Sequence, residues 1–168
     1  WGKELAAEHA WFNGNTTYIT LDDSFEPNDV VPINRLHGDM DDPNAVIFPV
    51  RSFAAMQPYD AVTNKLVVPN LFPTNPATAY WKNWDWAKAI QEGQTTVGRE
   101  FSGEYGFVQT VMYWPLTHQV SPADQALSCK DCHNPKGAID FLALGYDEER
   151  ADRLSSFYPA PKEAAAGE

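Results

Sequence analysis

Ala126-Leu-Ser-Cys129-Lys130-Asp131-Cys132-His133 sets two thiols and an imidazole within five residues. Two thiols three residues apart lie on one face of a helical turn, and an imidazole follows at once. That spacing lets both cysteines form thioethers to the two vinyl groups of one haem, with His133 turned under the iron as its ligand. A structural zinc would need four ligands at close spacing, and the other histidines, His9, His37 and His118, are widely separated singletons. A thioredoxin-like pair would want a βαβ setting, and none is visible. The two cysteines are the only ones in the chain, so no disulfide framework is left.

The motif raises the question of a second axial ligand. His and Met are the usual choices: here His9, His37, His118, Met40, Met56 and Met112. His118 lies in Trp114-Pro-Leu-Thr-His-Gln-Val-Ser-Pro122, with ten residues between it and Cys129. With a helix expected from Ser121, folding back onto its own haem is awkward, and reaching a neighbouring haem is easier. The spacing hints at more than one haem in the assembly.

Working outward, Ser121 reads as an N-cap, Pro122 as the first helical residue and Asp124 as the third of a capping box, giving a helix through both cysteines that stops before Asn134-Pro135. A second helix is predicted over residues 83–93, with Asn83 as N-cap and Gly93 as C-cap. A third runs from Asp147 to Phe157, with Pro159 and Pro161 beyond it. Residues 21–80 are dense in turn signals. The short apolar runs Ala45–Phe48 and Lys65–Val68 between them read as strands of a small two-stranded β-ribbon. The expectation is a mainly α chain with much irregular loop. It divides into a loop-rich haem-wrapping region (1–120), a haem-binding helical region (121–158) and a frayed tail (159–168).

Composition fits a chain wrapped round a rigid apolar body. Of 168 residues, six are Trp, seven Tyr, thirteen Pro and ten Gly, which supply large flat surfaces and interrupt regular structure. The formal charge of −11 repels nucleic-acid phosphate and suits a basic redox partner. No apolar run approaches a membrane span, and no signal peptide is recognisable. The chain begins at Trp1 rather than Met, which reads as a processed product or the later part of a longer polypeptide. Asp39, Asp41, Asp42 and Asn44 offer the oxygen donors Ca²⁺ uses, although a solvated acidic turn is the favoured reading. Glu100 and Glu104 flank an aromatic segment and read either as groups at a haem edge or as surface carboxylates.

The block Phe101-Ser-Gly-Glu-Tyr-Gly-Phe, Met112-Tyr-Trp-Pro-Leu-Thr-His118 and Ala126–His133 resembles the C-terminal part of the octahaem tetrathionate reductase family of multihaem cytochromes c. Weaker matches extend the resemblance from about residue 9 to about residue 145. It implies that Cys129, Cys132 and His133 form the last haem site, and that His118 binds the iron of another haem. His9 and His37 match as further ligands less closely. It implies a periplasmic or extracellular location, because haem c is attached outside the cytoplasm, and contacts to further haems. The family's substrate-binding haem has a Lys ligand in earlier sequence that is missing here. The partner expected is therefore another haem-bearing polypeptide, or an upstream part of the same protein. Electron transfer within a multihaem array is the first reading. Part of a reductase for tetrathionate, nitrite or hydroxylamine, and a subunit of a haem-stacking filament, are the alternatives.

Overall fold

A computed structural model describes residues 6–72, 75–117 and 122–160. Its elements are strands β1 (Glu8–Phe12), β2 (Thr16–Tyr18), β3 (Val31–Pro32), β4 (Asn34–Leu36), β5 (Val46–Asp60), β6 (Lys65–Leu66) and β7 (Tyr105–Pro115). The helices are α1 (Tyr80–Asn83), α2 (Trp86–Thr96), α3 (Cys129–Cys132) and α4 (Glu148–Ser155). The longest strand has 15 residues and the longest helix 11. The expected mainly α architecture is thus overturned: strands dominate, and the helices are few and short. The larger sheet has the order β1-β5-β7-β3, with β6 also on β5, and β2 pairs with β4.

The reason lies in β5 and β7. Tyr105-Gly-Phe-Val-Gln-Thr-Val-Met-Tyr-Trp-Pro115 is rich in aromatic and β-branched residues, which suit a pleated surface, and buried Val108 and Thr110 alternate with exposed Phe107 and Gln109. In β5, Pro49 and Pro58 mask the strand. Pro49 lacks an N–H, yet it sits opposite His9 in the β1 register and its carbonyl accepts from Leu116 N–H at 2.9 Å. The expected ribbon also changes partners. Residues 46–50 pair with β1, whereas Lys65 and Leu66 pair with Asp60 and Tyr59 at the other end of β5.

The chain forms two compact units. The first comprises residues 1–17, 35–52 and 113–168, and the second residues 18–34 and 53–112. In the first, Phe141, Leu144 and Ala151 form the buried centre, with Trp11, Ile47, Ile139, Tyr146 and Leu154 packed on it. The Trp11 indole N–H donates to the Leu144 carbonyl at 2.9 Å, so the polar tip of a large ring is satisfied where it is buried.

In the second unit, Val31, Leu66 and Val108 are the centre, surrounded by Ile19, Leu21, Phe25, Ile33 and Tyr59. Helix α2 starts at Asp85, whose carboxylate accepts from Lys88 N–H, and not at the expected Asn83, because Trp84 takes a left-handed conformation that ends α1. Gly93 lies inside α2 rather than capping it. A Cβ there would collide with the Val68 carbonyl, so glycine permits the close approach. Next to it, Gln94 accepts from Val68 N–H at 2.9 Å. The Asp60 carboxylate is 3% exposed and accepts from Val62, Thr63 and Ser102 N–H groups at 3.0, 2.9 and 2.7 Å.

Candidate haem attachment site

The helix that bears the cysteines is one turn long, α3. Its N-terminus is fixed by a capping box one motif later than expected: Ser128 and Asp131 bond reciprocally, the Asp131 carboxylate accepting from Ser128 N–H at 2.8 Å and Oγ at 2.6 Å. These bonds, the Ser128 side chain's first, hold Asp131 below the ordinary carboxylate range. Ser121 lies outside the described residues. Ala123–Gln125 form a single 3-10 turn instead of the start of a long helix.

Cys129 is exposed and Cys132 half-buried, and neither is in a disulfide. Burial pushes the Cys132 thiol up, with Asp131 and then Cys129 adding to it. The loop after the motif folds tightly back. The Asn134 amide, 3% exposed, donates to the Lys130 carbonyl at 2.7 Å, and Ala138 N–H reaches the Asp131 carbonyl at 2.9 Å. Gly137 is required there, since a Cβ would strike the Cys132 carbonyl.

His133 is held on several sides. Its Nδ1 lies 3.1 Å from the carbonyl of Leu154, near the end of α4. A carbonyl only accepts, so Nδ1 carries a proton, and in the neutral ring the lone pair is on Nε2. Phe141 stacks on the ring at 5.3 Å and 23°, and Phe157 meets it edge-on at 6.4 Å. Tyr158 N–H donates to the His133 carbonyl at 2.8 Å.

These residues fit a covalently attached haem. Two unpaired thiols share one turn, and the neighbouring imidazole has one nitrogen bonded and the other available. Large apolar side chains in this part of the chain are exposed, Leu127 at 62%, Leu142 at 57% and Phe157 at 71%.

His9 is half-buried on β1 and lines a largely apolar cavity of about 460 Å³ together with Ala7, Ile47, Pro49, Leu127 and Ile139. Burial lowers its pKa, against a backbone hydrogen bond with Ala138 that raises it. His37 is placed elsewhere: its Nε2 is 2.9 Å from the Thr17 hydroxyl, and its backbone bonds to Asn13 and Asn15. His118 lies outside the described residues. Met40 and Met56 are exposed.

The acidic cluster is a folded turn. Asp39 accepts from the Asp41 and Asp42 N–H groups, and Asp42 from Asn44 N–H and the Asn13 amide. No group of three or more His, Cys, Asp or Glu that could hold a metal ion occurs among the described residues. Glu100 and Glu104 are exposed in the second unit. The sequence reading missed Phe141, Asn134 and, above all, the Leu154 carbonyl. A backbone acceptor leaves no mark on residue type, although the Asp147 start of α4 was visible.

Residues 1–136 match the family described as "Cytochrome c bacterial". The chain belongs to this family of bacterial cytochromes c, and with membership come covalently bound haem c and haem-based electron transfer. Among solved structures it is similar to the octahaem cytochrome c from Shewanella oneidensis, with a TM-score of 0.79 and 34% identity over 88% of this chain. It spans 35% of the length of that relative. No curated protein matches it significantly. Among the described residues, no helix is long and apolar enough to cross a membrane.

Proposed function

We propose that Cys129 and Cys132 hold one haem c by two thioethers, that His133 ligates its iron through Nε2, and that this haem is one station of a multihaem electron-transfer array. The observation that carries the reading is the His133–Leu154 hydrogen bond beside two reduced thiols. It fixes the tautomer and the ring plane that a haem ligand needs. The haem supplies a one-electron ferric–ferrous couple. The chain's own residues attach it, orient its ligand and cover part of it. His9, at the apolar cavity, and His118 are the candidates for ligands to this or a neighbouring haem. For His37, ligation through Nε2 requires release of Thr17.

The partner is a second haem-bearing polypeptide, or further sequence of the same protein. Support comes from the 35% coverage of the octahaem relative. The assembly is periplasmic or extracellular, where thioethers to haem are made. A substrate-reducing haem, if the assembly has one, belongs to that partner. Turnover of tetrathionate, nitrite or hydroxylamine by the complete assembly is the matching assay.

The test is denaturing intact-mass analysis of the natively purified protein. One haem mass on this chain, absent from the Cys129→Ala/Cys132→Ala variant, is expected. A wild-type chain with no covalent haem would end the reading.

A further inference from the structure

Helix α4 follows the motif and carries none of its residues, yet the segment at its end contacts His133 at three points. The Leu154 carbonyl receives the Nδ1 proton at 3.1 Å, Tyr158 N–H binds the His133 carbonyl at 2.8 Å, and Phe157 lies against the ring. Leu154 is the penultimate residue of an eight-residue helix. Its carbonyl therefore belongs to the last turn, where no intrahelical N–H is available to it and the helix dipole concentrates negative charge. An acceptor of this kind draws the Nδ1 proton and makes the imidazole a stronger donor at Nε2. A stronger donor favours ferric over ferrous iron and lowers the reduction potential.

The position of that carbonyl is set at the far end of the helix. Asp147 caps α4, its carboxylate accepting from Arg150 N–H at 2.8 Å. Ala151 anchors the helix in the core beside Phe141, the residue stacked on the His133 ring.

We propose that α4 is the potential-setting element of this haem: it poises the couple low through the Leu154 carbonyl, and Asp147 is a positioning residue acting from the opposite end of the helix. This rests on the attachment reading above. Neither Asp147 nor any other α4 side chain need touch the haem for the effect to operate.

The test compares midpoint potentials of the wild-type holoprotein with Asp147→Ala, Asp147→Asn and Asp152→Pro, alongside hydrogen exchange of α4 and the Soret spectrum. Asp152 is exposed, and proline there breaks the helix without entering the core. At a fixed applied potential the ferrous-to-ferric ratio should rise severalfold in Asp147→Ala. In Asp152→Pro it should rise about tenfold, a positive shift of about 59 mV for one electron. Asp147→Asn, which keeps the cap, should restore the wild-type value. Asp147→Ala alone carries the test where Asp152→Pro does not accumulate. Exchange showing α4 opened while the haem stays attached and the potential stays put would overturn the role of α4. So would equal shifts in Asp147→Ala and Asp147→Asn, which would mean that charge and not position is responsible. A wild-type chain without haem would instead sink the attachment reading.

Discussion

The two units of this chain have interiors of the same kind and differ in what is mounted on them. In the second, Ile90, Val108 and Thr110 are all under 2% exposed and α2 buries four residues, while Phe72, Trp81 and Trp84 stay exposed. Even its buried charge, Asp60, has three backbone donors. The first unit likewise has a three-residue buried centre, with Val50 only 1% exposed, and leaves Leu127, Leu142 and Phe157 exposed. Both thiols of the chain and His133 lie in the first unit, and this difference, not exposed apolar area, separates scaffold from proposed cofactor cradle.

The strongest way to break the comparison is Ile90→Ala. Removing a fully buried side chain from α2 should cost about 2–5 kcal/mol in denaturant unfolding and leave the Soret band and potential unchanged. A disturbed haem spectrum would mean that the second unit is not merely scaffold.

A smaller effect comes from Asp60. Burial pushes its pKa up, but the hydrogen bonds from Ser102, Thr63 and Val62 together outweigh burial and hold it below its ordinary value of 3.8. A carboxylate with a lowered folded pKa contributes stability that is full above the ordinary value and is lost as pH falls through the folded one. Asp60→Asn should cost about 2 kcal/mol at neutral pH and flatten the acid limb of unfolding below pH ~4, followed by hydrogen exchange in residues 53–112.

The smallest effect sharpens the contrast from the other side. His9 has a folded pKa lowered by burial from its ordinary 6.5. The unfolded chain takes the proton first, so stability is full above that value and declines as pH falls below it toward the folded one. His9→Gln should flatten this shallow slope in the first unit, read by exchange of β1 amides. The two units thus lose stability in separate pH windows. Coincident acid limbs would remove the distinction.

The site was more legible in the sequence than the fold. Cys129, Cys132 and His133 are a spacing that chemistry dictates, so residue type alone exposes them. The start of α4 was equally plain, because Asp147 caps by a local bond. The sequence offers two Ser-x-x-Asp pairs, Ser121/Asp124 and Ser128/Asp131, alike in residue type and spacing, and it is the second that caps α3. The strands were hidden for another reason. β5 carries two prolines and an Ala-Ala pair and alternates poorly, and its main partners β1 and β7 lie far off in sequence, where local propensity has no reach. Gly93 illustrates the same limit: a glycine at a helix end and one admitting a neighbouring carbonyl look identical in sequence.

The chain crosses between its units four times, and this orders the availability of their parts in time. Every residue of the second unit has been made once Met112 is joined, so that unit can complete its core while the chain is still growing. The first unit begins earlier and finishes last. Trp11 waits for a carbonyl 133 residues downstream, and both cysteines are made before the helix that grips His133. The thiols and the imidazole therefore exist for an interval without their clamp, when the motif is most open to reaction and least fixed in position.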